Sequence, residues 1–398
     1  MEQRMERAGH QEGSGNMEPM LREYSSATVV STAANYIIER PEAFTHTYRT
    51  YVRLREQGNL ELRFWFSNEV DSTWDRGEVA QGGQPGGDWL IEAAFAADGG
   101  TRRDGSVNPE SRVSVTFGGS PSRLVRPGET FWSDPVELTL PEGHDLAFTW
   151  TIAAGSGRSV PYNVEQMLVT AYDAPGKHAE DAGSEAFTLS EKKLVMPAWI
   201  GYRKNVKRRM VFFGDSITQG VRTAVDGYEY WVARIADGLG LDYGVWNLGS
   251  GWARAYDAAT DTAWLHKARQ GDQVLIALGV NDIDIGERSA EQLLGDLTRI
   301  VSILKSNNPA VELVMFTVPP FNFSGERERV WRRVNETLRT APPVGVDRVF
   351  DIAAVLSQPA PQDHCLRPEF MSPGNDPHPN GLAGKAVAEA FLAWYERG

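Results

Sequence analysis

A single cysteine, Cys365, stands in 398 residues, so no intrachain disulfide braces the fold, and a reducing compartment suits such a chain. The seven histidines are scattered, none at metal-ligand spacing to another, and the neighbours His364 and Cys365 lack further partners; no metal site is expected. A Gly-rich phosphate loop of the Walker type is missing as well, and no cofactor is implied. Positive charge is in deficit: 40 Lys and Arg against 53 Asp and Glu leave a formal charge of −13. Nucleic acid and anionic membrane surfaces call for basic patches, so neither is expected as a partner. The short basic run at 204–209 reads as a solvated edge before a strand. No stretch approaches the ~20 apolar residues of a membrane span, and residues 1–20 are charged and Gly-rich without the apolar core of a signal peptide. The expectation is a cytoplasmic protein whose residues 1–23 form a disordered tail; nothing in the sequence reports its oligomeric state.

The rest of the chain shows two organisations. From 24 to 172, short runs rich in Tyr, Val, Leu, Phe and Trp (47–54, 60–66, 112–117, 136–140 and 145–152) are broken by turn signals such as Gly118-Gly119 and Pro127-Gly128. Alternating strands with such turns predict an all-β sandwich. The stretch 82–87 is too Gly-rich for a helix or a strand, and 173–204 is polar with little periodicity and reads as a connector. From 205 to 398, apolar runs of strand length at 210–213, 242–246, 273–278, 311–318 and 348–352 alternate with helical patterns at 228–239, 290–305, 327–339 and 381–395. Strands alternating with helices imply right-handed parallel crossovers, hence an α/β three-layer sandwich.

Four blocks fall at the ends of these strands or just before helices, where ligands bind in parallel sheets. They are Gly214-Asp215-Ser216-Ile217, Asn247-Leu248-Gly249-Ser250-Gly251, Gly279-Val280-Asn281-Asp282 and Asp376-Pro377-His378-Pro379-Asn380. Ser216, at a strand-to-helix turn, offers a nucleophile where backbone N–H groups can stabilise negative charge, although a serine there can also serve only as a helix cap. His378 lies between two prolines that restrict the backbone and offers a base to take the Ser216 proton and return it to a leaving alcohol. Asn281 offers a side-chain donor, or with Asp282 a turn. Together they make a kit for acyl transfer.

The order and setting of the blocks resemble the SGNH (GDSL-type) hydrolase family, over roughly the last half of the chain. The resemblance implies a flavodoxin-like parallel sheet, Ser216 and His378 as nucleophile and base, and an oxyanion hole from the N–H of Ser216, a glycine N–H and the Asn281 amide. The segment from Asn247 to the second glycine is one residue shorter than in many members, which makes Gly251 the first choice and Gly249 the second. The family's acid usually lies three residues before the histidine; that position is Asn375 here, and Asp376 lies two before. Either a local backbone shift lets Asp376 reach the imidazole, or a backbone carbonyl orients the ring.

Among aromatic residues near the second block, Trp252 is the candidate for substrate contact, with Trp246, Tyr256 and Trp264 divided between core and pocket. In the amino-terminal half Trp65 reads as core, while Trp74, Trp89 and Trp132 could be saccharide-stacking platforms, Trp74 and Trp89 being the better exposed candidates. A β-sandwich before such a domain resembles bacterial esterases that deacetylate carbohydrates. The expectation is a serine esterase removing a small O-acyl group, acetyl first, from a saccharide. A lipid or thioester acylhydrolase is the alternative enzyme, and a carbohydrate-binding protein with a degenerate site is the alternative of another class.

Overall fold

A computed structural model describes residues 23–72, 74–75, 79–80, 82–163, 167–260 and 262–397. The expected tail at 1–23 falls outside them but for Glu23, and so does the side chain of Trp74.

The amino-terminal region is β-rich. One antiparallel sheet runs in the order Tyr24–Ser26, Trp199–Arg203, Gly58–Ser67, Thr130–Trp132, with Val136–Leu140 also paired to Gly58–Ser67. The other runs Thr188–Leu189, Ala171–Pro175, Phe44–Val52, Leu146–Ala154, Trp89–Asp98, Val113–Ser114, with Arg123–Val125 beside Trp89–Asp98. Alternation puts one face of each strand inward: in Val136–Leu140 the residues Val136, Leu138 and Leu140 are buried while Glu137 and Thr139 are exposed. The inner faces meet through aromatic pairs, Phe64 against Phe148 at 4.7 Å and Phe66 against Trp150 at 5.5 Å between ring centroids. The stretch 173–204, expected as a connector, contributes two strands and the end of Ala171–Pro175 to these sheets, and Trp199–Arg203 lies inside one of them. Its strands are short and separated by polar turns, which is why no alternation marks them in the sequence.

The carboxyl-terminal region carries a five-stranded parallel sheet of β1 (Arg208–Gly214), β2 (Tyr243–Asn247), β3 (Gln273–Ala277), β4 (Glu312–Phe316) and β5 (Arg348–Phe350), ordered β2-β1-β3-β4-β5. The helices among the described residues are α1 (Ser216–Gln219), α2 (Trp231–Leu239), α3 (Ala255–Ala258), α4 (Ala263–Ala268), α5 (Val280–Asp284), α6 (Ala290–Asn307), α7 (Glu326–Thr340), α8 (Ile352–Leu356) and α9 (Gly381–Tyr395). Alternate strand residues face opposite ways. Phe212, Leu275, Val314 and Phe316 share a core with Trp231 of α2 and Phe391 of α9. Val211, Phe213, Ile276 and Met315 pack with Leu293 and Leu297 of α6 and Val334 of α7. Ser289 and Gln292 form a reciprocal capping box that starts α6, satisfying two orphan backbone donors.

The two regions share packing. A cluster of buried residues runs from Val29 and Ile200 through Met210 and Phe212 without a break, and a Cβ on Gly244 of β2 would lie 2.5 Å from Ser25 Oγ. No helix of the described residues is long and apolar enough to cross a membrane.

Candidate active site

Strand β1 delivers the first block. Gly214 at its end has no room for a side chain, since a Cβ there would stand 2.1 Å from Thr218 Oγ1 and 2.6 Å from the Ala277 carbonyl. Asp215 then caps α1, accepting from Ile217 N at 2.9 Å, and Ser216 is the first helical residue. The helix stops after one turn because Gly220 takes φ 108°, and its N–H returns to the Ser216 carbonyl at 3.0 Å.

Ser216 Oγ lies 3.1 Å from His378 Nε2. His378 belongs to a hairpin of Met371–Ser372 and Asp376–Pro379, turned by Gly374 (φ 81°) and Asn375 (φ 59°), residues suited to left-handed backbone. Asp376 and His378, two apart on a strand, point to the same side. Asp376 Oδ1 accepts from His378 Nδ1 at 2.6 Å and from His378 N at 3.1 Å. Of the two arrangements open to the sequence, the structure has the local backbone shift: Asn375 makes the turn and Asp376 reaches the imidazole. Asn380 anchors the hairpin by donating to the carbonyls of Glu369 and Met371 while capping α9.

Burial pushes the Asp376 carboxyl up, but hydrogen bonds from His378 and from Arg222 outweigh it and hold the group at about 2. Burial pushes His378 below its ordinary 6.5 against the upward pull of Asp376. The imidazole is therefore neutral at neutral pH. An ionised Asp376 keeps the proton on Nδ1, which leaves Nε2 free to accept from the Ser216 hydroxyl.

Residues that the sequence did not single out complete this line. Arg222 Nε donates to Asp376 Oδ2 at 2.7 Å, and the Phe321 ring stands edge-on to the His378 ring at 5.1 Å. No local pattern marks either: Arg222 lies in an irregular segment and Phe321 in the loop after β4.

The three oxyanion candidates follow the adjacent strands β1, β2 and β3. Among the described residues the N–H groups of Ser216 and Gly251 have no acceptor. The two glycines differ. Gly249 N donates to Asn247 Oδ1 at 2.8 Å, its carbonyl accepts from Ser31 Oγ, and a Cβ on it would lie 2.1 Å from Gln219 N. Its place in the site is a close contact with the backbone of α1. Asn281 is 8% exposed and donates through Nδ2 to the Ala253 carbonyl at 3.0 Å, which leaves the second hydrogen of that amide available. Asp282 is fully buried and accepts from Ala255 N at 2.8 Å and Tyr256 N at 3.2 Å, so it starts α3. Burial pushes both Asp215 and Asp282 up to about 7.

Trp252, beside Gly251, is 40% exposed and takes φ 65°, an outlier for a bulky residue that only its surroundings can hold. Tyr256 is also exposed, with the guanidinium groups of Arg254 and Arg288 at 5.3 and 4.7 Å from its ring. Trp246 and Trp264 are core. Trp65 is core as expected; Trp89, expected to be exposed, is 3% exposed with Nε1 bonded to Asn68 Oδ1 at 2.9 Å. Its turn-rich surroundings fold over it.

The β-rich region reaches the site. Ser250 Oγ donates to the Ser72 carbonyl, Gln219 Nε2 to Asn163 Oδ1 at 2.7 Å, and Lys267 of α4 forms an ion pair at 2.7 Å with Asp71, their side chains 1% and 0% exposed. No group of three or more His, Cys, Asp or Glu among the described residues could hold a metal ion.

Residues 212–383 match the model described as the GDSL-like Lipase/Acylhydrolase family. An uncharacterized protein of Mycoplasma pneumoniae is 26% identical over 141 residues, which take in 33% of this chain and 16% of that protein, so the chain spans only a small part of that relative's length. Among solved structures, a family two carbohydrate esterase from Cellvibrio japonicus is 13% identical, with 94% of each chain covered and a TM-score of 0.39. One from Clostridium thermocellum in complex with cellohexaose is 14% identical, covering 92% of this chain and 98% of that one at 0.37. A carbohydrate esterase family 3 protein from Talaromyces cellulolyticus is 16% identical, covering 48% and 96% at 0.36. At such scores these likenesses say nothing of substrate. With all four blocks inside or at the border of the matched stretch, the carboxyl-terminal region of this chain is an SGNH-type hydrolase domain of the GDSL-like lipase/acylhydrolase family.

Proposed function

We propose that the chain is a serine ester hydrolase that removes a small O-acyl group, acetyl first, from a carbohydrate, and that its catalytic region is a three-layer α/β sandwich of flavodoxin-like type. The observation that carries the mechanism is the unbroken line of hydrogen bonds from Ser216 Oγ through His378 to Asp376, at 3.1 and 2.6 Å. Neutral His378 takes the Ser216 proton as Oγ attacks the acyl carbon. The imidazolium faces Asp376 across the shorter bond, and the tetrahedral oxyanion is held by the N–H groups of Ser216 and Gly251 and the Asn281 amide. Each such donor is worth about 10² to 10³ in kcat. His378 then protonates the leaving alcohol, and water activated by the same ring releases the acyl group from Ser216. Gly249 supports α1 in this scheme and is not the oxyanion donor.

A saccharide alcohol is supported by the exposed aromatic faces of Trp252, next to Gly251, and of Tyr256. Exposed Val225 and Leu382, on the segment after α1 and at the start of α9, favour the second reading, a longer acyl chain. Initial rates on p-nitrophenyl acetate, butyrate and octanoate, with acetate release from an acetylated oligosaccharide, separate the two. Preference for octanoate would transfer the reading to lipid esters. Failure of a fluorophosphonate to label Ser216 would leave a binding protein with a degenerate site.

A further inference from the structure

The segment between α1 and α2 holds three non-glycine residues with left-handed backbone, Arg222 (φ 74°), Asp226 (φ 58°) and Tyr228 (φ 50°). Such conformations persist where surrounding contacts over-determine them. Those contacts come from the β-rich region. Asp226 N donates to the Leu168 carbonyl at 2.9 Å, and its carboxylate accepts from Thr170 N at 2.9 Å and Thr170 Oγ1 at 2.6 Å. Tyr228 OH accepts from Arg53 N at 2.8 Å beneath the Arg53 guanidinium, which lies 4.0 Å over its ring. Tyr230 OH donates to the Val29 carbonyl at 3.1 Å. The one side chain that this segment sends to the triad is Arg222, and the two carboxylate oxygens of Asp376 are divided: Oδ1 serves His378, Oδ2 serves Arg222.

We propose that Arg222 is a positioning residue, held by the grip of the β-rich region on Asp226, that fixes the Asp376 carboxylate against His378. This rests on the serine esterase reading above. The consequence is that a cation borders the triad and that the β-rich region is part of what aligns it. The charged groups facing His378 are Asp376 on its own strand, Arg222 from the segment after α1, and Asp284 of α5, itself paired with Arg327 of α7 at 3.1 Å. Among these, Arg222 alone disfavours the imidazolium. Loss of its charge moves the His378 titration to higher pH, because Asp376 stays tethered to its own hairpin through His378 N.

The test uses the full chain with Arg222→Met, Arg222→Lys and Thr170→Val, read by kcat and KM for p-nitrophenyl acetate across pH and by NMR titration of the His378 imidazole. For Arg222→Met the expected result is a kcat about tenfold lower, well short of the ~10⁴ known for a neutralised triad acid. KM should stay unchanged, and both the acid limb and the imidazole titration should move upward. Arg222→Lys should restore part of the rate. Thr170→Val, in the β-rich region, should shift both in the same direction by less. A rise in KM with kcat intact would make Arg222 a substrate contact and overturn the proposal, as would a wild-type titration in Arg222→Met. If wild type hydrolyses nothing and takes no fluorophosphonate, the esterase reading falls, and the imidazole titration still decides whether Arg222 acts on the pair.

Discussion

Replacing Asp376 by Asn tests the triad with little change of shape. The carboxylate accepts from His378 Nδ1 at 2.6 Å, His378 N at 3.1 Å and Arg222 Nε at 2.7 Å. An amide cannot serve all three. With its oxygen toward His378, its NH₂ meets the Arg222 donor; with its NH₂ toward His378, the imidazole must carry its proton on Nε2 and Ser216 loses its base. In the first orientation a charged hydrogen bond worth about 1.5–3 kcal/mol becomes a neutral one worth about 0.5–1.5 kcal/mol, a loss of about 1–1.5 kcal/mol or roughly one decade in rate. The second extends the loss toward ~10⁴. The expected kcat is therefore between about 10 and 10⁴ below wild type, with KM little changed. The side chain is 24% exposed at the end of a hairpin that Asn380 also anchors, so the fold should survive. Initial rates on p-nitrophenyl acetate measure this. Because triad members act as a unit, Ser216→Ala/Asp376→Asn should be no slower than Ser216→Ala alone. A rate within threefold of wild type would refute the reasoning and return the orienting role to another group.

The depressed titration of His378 sets the sign of the pH dependence: kcat/KM should fall only as pH drops below the ordinary 6.5, through the lower folded value, and a limb above 6.5 contradicts it. Stability follows the same direction, since the unfolded chain takes up that proton first; its contribution is complete above 6.5 and is lost as pH falls through the folded value. Lys267→Met leaves Asp71 buried without its counter-charge, which should cost about 3–5 kcal/mol in urea unfolding, while Lys267→Met/Asp71→Asn should recover at least half; additive losses would show the pair uncoupled. Gly249→Ala must displace the backbone of α1, where its Cβ would stand 2.1 Å from Gln219 N. Overpacking of about 1–3 kcal/mol is expected, with kcat reduced through Ser216, and wild-type activity and stability together would exclude the close contact.

The parallel sheet was legible because its strands are continuous apolar runs; 210–213 and 273–278 overlap Arg208–Gly214 and Gln273–Ala277. Chemistry-bearing blocks were legible too, since each is local in sequence. What escaped depends on contacts between distant segments. Arg222 lies 154 residues from Asp376 and Ser72 lies 178 from Ser250, and no periodicity reports such a meeting. Trp199–Arg203 escaped because a five-residue strand buried at four positions has no alternation to read. Trp89 was misjudged because a turn-rich flank says that the chain bends, not which side of the bend faces water.

The contacts of the β-rich region also bear on what that region does. A detachable binding module would meet its neighbour across a polar, hydrated surface. Here the meeting joins buried aromatic packing to specific polar contacts. Trp199 of one sheet packs edge-on to Trp246 of β2 at 6.1 Å, Trp246 Nε1 donates to Thr32 Oγ1 at 3.0 Å, and Lys267 finds its counter-charge in Asp71. Without the β-rich region that lysine would lose its counter-charge and the indole its cover. The same region supplies Ser31 to the Gly249 carbonyl, Ser72 to Ser250 and Thr170 to Asp226, so its contacts reach both the segment after β2 and the segment that carries Arg222. Of the aromatic residues expected to mark it as a saccharide platform, Trp89 is spent inward. These observations favour a scaffold that packs against the hydrolase domain over a separate carbohydrate module.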